Sequence, residues 1–198
     1  MESERNMAKE YLLDTNAYFN ILKYLHEAKQ NDEGNEQLTV IQSGHLLISD
    51  ITRVEIISVL GKYARGISGG LTKCNCIISA DGMVCEHQRY VTPRKKWNSK
   101  KVGAWLKMID ETIDGTSPII CVSVEPFTNN TVNEARTIIQ HALQFSFGSL
   151  DAMIAATAKQ ALKNQRDITV ITSDRSLIAC LEKCSIPYID LFSKGEVS

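Results

Sequence analysis

The chain lacks any apolar run long enough to cross a bilayer, lacks an internal repeat of useful strength, and carries almost no net charge. The first absence removes membrane-spanning helices, and the second removes repeat architectures. The third means the chain as a whole is no polycation: 22 basic and 23 acidic residues leave a formal charge of -1, so a nucleic-acid ligand needs a local basic surface. The start, "MESERNMAKE", has neither the basic flank nor the hydrophobic stretch of a secretory signal, which makes the cytoplasm the expected compartment, and no membrane partner is expected. Six cysteines in 198 residues do not demand a disulfide framework, and in a reducing compartment they are better read as thiols or metal ligands. What is present is 43% hydrophobic residues, enough for one substantial core. One domain with an insertion is expected, rather than two equal domains.

Apolar periodicity supplies the elements. Residues 10–14 form a first strand candidate, followed by a helix from about Ala17 to Gln30 with Ile21, Leu22 and Leu25 as its inner stripe. "HLLIS" at 45–49 is a strand. "DITRVEIISVLGKYA" is a helix started by Ser49 or Asp50, with Val54, Ile57 and Leu60 on one side and Glu55 at the edge of that face. Composition changes at residue 66, and 66–100 is expected to be an inserted basic, cysteine-bearing hairpin or loop region. "VGAWLKMIDETI" resumes helix. Beyond it lie a strand at 119–124, helices in "TVNEARTIIQHALQF" and "SLDAMIAATAKQALKN", a strand at 168–173, a short helix "DRSLIACLEK" and a last strand in "IPYIDL". The alternation argues for an α/β sandwich with a mostly parallel sheet.

Four acidic residues occupy comparable places. Asp14 and Asp174 directly follow strand candidates, while Glu55 and Asp151 fall in the first turns of helices. In an open α/β sheet, strand C-terminal ends and helix N-termini meet at one edge, where ligand sites form. Carboxylates gathered without a partner raise one another's proton affinity, and Mg²⁺ or Mn²⁺ removes that conflict. Each acid taken alone is equally a turn former or a helix cap. Thr15, Asn16, Thr172 and Ser173 add short polar groups at the same edge, with turn and cap bonding as their ordinary role.

"YLLDTNAYF", "ITRVEI", "SLDAMIAATA" and "VITSDRSL" resemble, in order, the four signature regions of PIN-domain ribonucleases, including toxin-type (VapC-like) members. The resemblance spans residues 11 to about 190 apart from the central insertion. It implies a three-layer α/β/α sandwich over 1–198 and metal-dependent hydrolysis of RNA phosphodiesters, leaving a 5′-phosphate and a 3′-hydroxyl. Carried to this chain, it implies that Asp14, Asp151 and Asp174 bind one or two Mg²⁺ or Mn²⁺ ions, with Glu55 a direct ligand or the holder of a bound water. Asn16 and Thr172 match polar site neighbours, and Thr15 and Ser173 read as positioning groups. Glu134 is an additional acid with an equally good reading as a solvated first-turn residue. An antitoxin protein and a homodimer are the partners the resemblance implies, RNA being the substrate.

The insertion departs from the family pattern. Cys74, Cys76, Cys85 and His87 are a candidate structural Zn²⁺ set, against free thiols and a surface histidine in an ordinary hairpin. Cys180 and Cys184, four apart beside Leu177 and Leu181, read as small core residues. Arg89, Arg94, Lys95, Lys96, Lys100, Lys101 and Lys107 are interspersed with Tyr90, Trp97 and Trp105. That mixture can hold phosphates and stack a base, or be a solvated surface anchored by its tryptophans. Two other functions compete with an endoribonuclease: a catalytically weak RNA-binding or interaction module, and a DNA or structure-specific nuclease.

Overall fold

The computed structural model describes residues 9–28, 44–73, 88–145 and 147–190. The candidate zinc ligands Cys74, Cys76, Cys85 and His87 lie outside them. Two compact units divide the chain: Met1–Ile56 with Ile109–Ser198, and Ile57–Met108.

The larger unit is built on five strands: β1 (Glu10–Leu13), β2 (His45–Ser49), β5 (Ser123–Glu125), β6 (Ile168–Ile171) and β7 (Tyr188–Ile189). They lie in the order β5-β2-β1-β6-β7, and every neighbouring pair is parallel. Leu12 sits opposite both Leu47 and Val170 in register, so these side chains share one face of the sheet. That face packs into a core with α4 (Asn129–Ile138), α6 (Ser149–Lys163) and α7 (Arg175–Lys183). The buried side of α6 is mostly alanine, Ala152, Ala155, Ala156, Ala158 and Ala161, which lets the helix backbone approach its neighbours closely. Tyr11, Leu13, Leu46, Ile48 and Ile171 alternate to the opposite face and are also buried. Near that face α1 (Thr15–Ala28) buries Tyr18, Ile21 and Leu22, with Tyr18 Oη 2.5 Å from Thr112 Oγ1 on the last turn of α3 (Ser99–Ile113). Helices on both sides of a parallel sheet give the expected α/β/α sandwich. No described helix is long and apolar enough to cross a membrane.

Several elements differ from their sequence-based expectation. On α2 (Asp50–Arg65) the buried stripe is Thr52, Ile56 and Leu60, whereas Val54 is 71% and Ile57 47% exposed. Ser49 Oγ accepts the Thr52 N–H at 3.1 Å and lies 3.0 Å from Thr52 Oγ1, so a buried polar residue sets the rotation of the helix, and apolar counting overlooks it. The strand expected at 119–124 is reduced to Ser123–Glu125. The Ser117 hydroxyl accepts from Ile119 N at 3.2 Å, and Val122 N donates to Thr112 O at 3.0 Å, so these donors are used before a ladder can form. The helix expected from residue 131 starts at Asn129, where Thr128 supplies a cap and exchanges hydrogen bonds with Thr131. It then tightens into a 3₁₀ turn at Ile139–His141 before α5 (Ala142–Phe145).

The unit Ile57–Met108 contains β3 (Gly70–Lys73) and β4 (Gln88–Val91), paired antiparallel with Leu71 opposite Tyr90. An isolated bridge joins Ile67 to Arg94, and Gly66 adopts φ 72°, the left-handed conformation that glycine tolerates, at the end of α2.

Candidate active site

β1 ends at Leu13, and Asp14 turns the chain directly into α1. Its Oδ1 accepts the Ala17 N–H at 2.5 Å and its carbonyl accepts the Tyr18 N–H at 3.0 Å, so it caps the helix. Its Oδ2 accepts the Thr172 hydroxyl. That hydroxyl also accepts the Asp174 N–H at 3.1 Å, and Asp174 Oδ1 in turn caps α7 through Ser176 N at 2.8 Å and Leu177 N at 3.0 Å. Asp151, in the first turn of α6, accepts the Gly148 N–H on Oδ2 at 2.8 Å. Glu55, half-buried in the second turn of α2, accepts the buried Thr15 hydroxyl on Oε2 at 2.5 Å.

Electrostatics ties these groups together. Asp14 is only 4% exposed, and burial pushes its carboxyl from 3.8 up to about 6. Hydrogen bonds from Thr172 and Ala17 oppose the rise, while Asp174 and Asp151 add to it. Asp151 is likewise raised, first by burial, against the Gly148 hydrogen bond and with Asp174 and Glu55 adding. The charges that help raise Asp14 and Asp151 thus come from within the same set of acids, although the four are supplied by the N-terminal regions of four separate helices. Asp14 and Asp174 are both helix caps, and capping leaves them at the sheet edge where ligand sites form.

In donor chemistry the set suits a hard divalent cation. Asp174, Asp151 and Glu55 each use one carboxylate oxygen in the bonds above and keep the other for a further partner. Among the described residues, no group of three or more His, Cys, Asp or Glu side chains stands ready to hold one ion. Mg²⁺ usually retains several waters and takes one or two carboxylates directly, so it does not require a closed protein shell.

Of the other residues singled out, Ser173 donates to Asp190 and Asn16 is exposed on the first turn of α1. Glu134 is bound across to α6, with Lys159 Nζ at 3.2 Å and a contact to Lys163. It is thus an interhelix ion pair and not a solvated first-turn residue. Cys180 is buried, as a small core residue should be, and its thiol is pushed up to about 12 by burial and then by Cys184. A cavity of about 210 Å³ between the α4 start and α6, lined by Glu125, Thr128, Thr131, Thr157 and Gln160, contains none of the four acids.

Asp190 escaped notice in the sequence. β7 ends at Ile189, Thr172 N donates to Ile189 O at 3.2 Å, and Asp190 reaches Ser173 between Thr172 and Asp174. The available signal was a third strand followed immediately by aspartate, concealed by reading "IPYIDL" as strand throughout.

Protein-family models give no match to the chain, and curated proteins give none. Among solved structures the chain is similar to FitAcB from Neisseria gonorrhoeae, 19% identical over 91% of this chain and 96% of that one, with a TM-score of 0.48. It is also similar to VapBC2 from Rickettsia felis bound to a DNA fragment from its promoter, 15% identical over 91% and 97%, with a TM-score of 0.47. Neither likeness is strong enough to assign a function.

Proposed function

We propose that the chain is a Mg²⁺- or Mn²⁺-dependent phosphodiesterase that cuts RNA, with Asp14, Asp151, Asp174 and Glu55 at its centre. The observation that supports this best is the delivery of four acids by separate elements to one hydrogen-bonded edge, where the charges of Asp174 and Asp151 help raise Asp14 to about 6 and those of Asp174 and Glu55 help raise Asp151. Such an arrangement costs stability when empty, and a divalent cation offsets that cost. When bound, the ion supplies the charge that acidifies water for in-line attack and balances charge on the phosphoryl and leaving oxygens.

The protein's own groups supply placement. Thr172 holds Asp14 and the backbone of Asp174 in one arrangement, Gly148 N–H orients Asp151, and Thr15 orients Glu55. Thr15 and Ser173 donate their hydroxyl hydrogens to carboxylates, which suits positioning groups better than nucleophiles. RNA as the substrate, and an antitoxin protein or a second copy as partner, rest on the four ordered motifs resembling toxin-type PIN-domain ribonucleases.

Purified protein should cut RNA with Mn²⁺ or Mg²⁺ and stop with chelator. Asp14→Asn and Asp151→Asn should each be inactive while remaining folded. Cleavage of DNA in preference to RNA under the same conditions would reassign the substrate. RNA binding with no metal-dependent cleavage would leave a binding module instead.

A further inference from the structure

The overall charge of -1 conceals a separation. The unit Ile57–Met108 holds ten of the 22 basic residues and two of the 23 acidic ones, a net +8, and the remainder of the chain therefore carries -9. Within the basic unit the aromatic residues divide into two kinds. Tyr63 and Trp97 are half-buried and stacked, with ring centroids 4.8 Å apart and planes 23° apart, and Trp105 lies 5.5 Å from Trp97. Arg94 stands 4.6 Å from the Tyr63 centroid, and Lys101 Nζ 4.3 Å from that of Trp97. These rings already carry cations and each other. They act as a scaffold that holds two exposed positive groups in place, so less side-chain freedom is lost when those groups meet a phosphate.

Tyr90 is different. It is 66% exposed opposite Leu71, which is 69% exposed, on the β3–β4 pair, and alternation puts exposed Lys73 on the same side. An open aromatic ring beside an apolar side chain and a lysine, in a unit of charge +8, matches a ligand with flat apolar faces on a polyanionic backbone.

We propose that the unit Ile57–Met108 is a binding surface for single-stranded nucleic acid, with a base stacked on Tyr90 and phosphates held by Arg94, Lys101 and the exposed Lys95, Lys96 and Lys100. The proposal assigns substrate recognition for the nuclease reading, on which it rests, to residues of a different unit from the one that carries the four acids, and it is testable without cleavage.

The test is fluorescence anisotropy of the full chain with labelled polyuridylate in EDTA, across a salt series. Tyr90→Ala should weaken binding by at least about fivefold and Tyr90→Phe should not, because the ring face is what stacks. Removing Lys95, Lys96 and Lys100 together, each to Ala, should flatten the slope of log K against log salt by about 2, at about 0.7 per lost phosphate contact on a single strand. Unchanged affinity in Tyr90→Ala, an unchanged slope in the triple variant, or equal preference for duplex RNA would overturn the proposal. So would failure to bind polyuridylate together with salt-sensitive binding of an acidic protein. Binding that behaves as expected in a chain that never cuts RNA with Mn²⁺ would refute the nuclease reading and leave this one standing.

Discussion

Asp14→Asn is expected to abolish metal-dependent cleavage and, in metal-free protein, to raise stability at neutral pH. The folded carboxyl titrates near 6 instead of 3.8 because burial disfavours its charge. A group raised in this way contributes stability that is fully present below its unfolded value, near 3.8, and is lost as pH rises through about 6. The difference corresponds to about 3 kcal/mol of destabilisation by the ionised carboxylate at pH above 7. Asparagine has nearly the same shape and no charge. Its Oδ1 can keep the Ala17 N–H, and the Thr172 hydroxyl can turn to accept from Nδ2. Urea unfolding of both proteins in EDTA, repeated between about pH 4 and 8, measures the effect. The two stabilities should nearly coincide at the acid end and separate in the variant's favour as pH rises, by up to about 3 kcal/mol. Added Mn²⁺ should stabilise the native protein by mass action and leave the variant unmoved. A variant less stable than the parent at neutral pH, or a gap that does not grow with pH, would show that Asp14 is not a destabilising buried charge.

Three further outcomes follow from the same geometry. Thr15→Val removes the donor to Glu55 Oε2 and should lower kcat by about 10-fold or more with little change in RNA affinity, as read from single-turnover cleavage. Arg166 donates at 2.7 Å to both Glu10 and Glu125, so Arg166→Met should cost about 2 kcal/mol in chemical denaturation, between the values for exposed and buried pairs. Ser173→Ala should cost about 1 kcal/mol and reduce cleavage, since it frees the loop before Asp174 from Asp190.

Much of this arrangement was legible because it is local. "HLLIS" ends on a serine that caps the next helix and coincides with β2, and "SLDAMIAATAKQALK" has the small-residue periodicity of a helix packed on a sheet. The placement of the carboxylates at strand ends and near helix starts was readable from position, whereas grouping them as a site rested on the motif resemblance. What was not legible depends on partners distant in sequence or on residues that apolar counting ignores. The rotation of α2 follows a buried threonine held by Ser49, and the early donors of 119–122 are taken by Ser117 and by the end of α3. The basic character of 66–100 was legible from composition, but the ring contacts within its unit were not: its two tryptophans are partners for one another.

Thr172 uses a single hydroxyl in two directions, giving its hydrogen to Asp14 and a lone pair to the backbone of Asp174. Two acids from opposite ends of the chain consequently share one small intermediary, and a disturbance at either is conveyed to the other. Substitutions at 14 and 174 should then fail to add. Position 172 is a bottleneck for divergence: serine reproduces both bonds, whereas alanine, valine and cysteine surrender or weaken them. A lineage that retained both aspartates but lost the hydroxyl would keep the sequence signature of the site and forfeit its alignment.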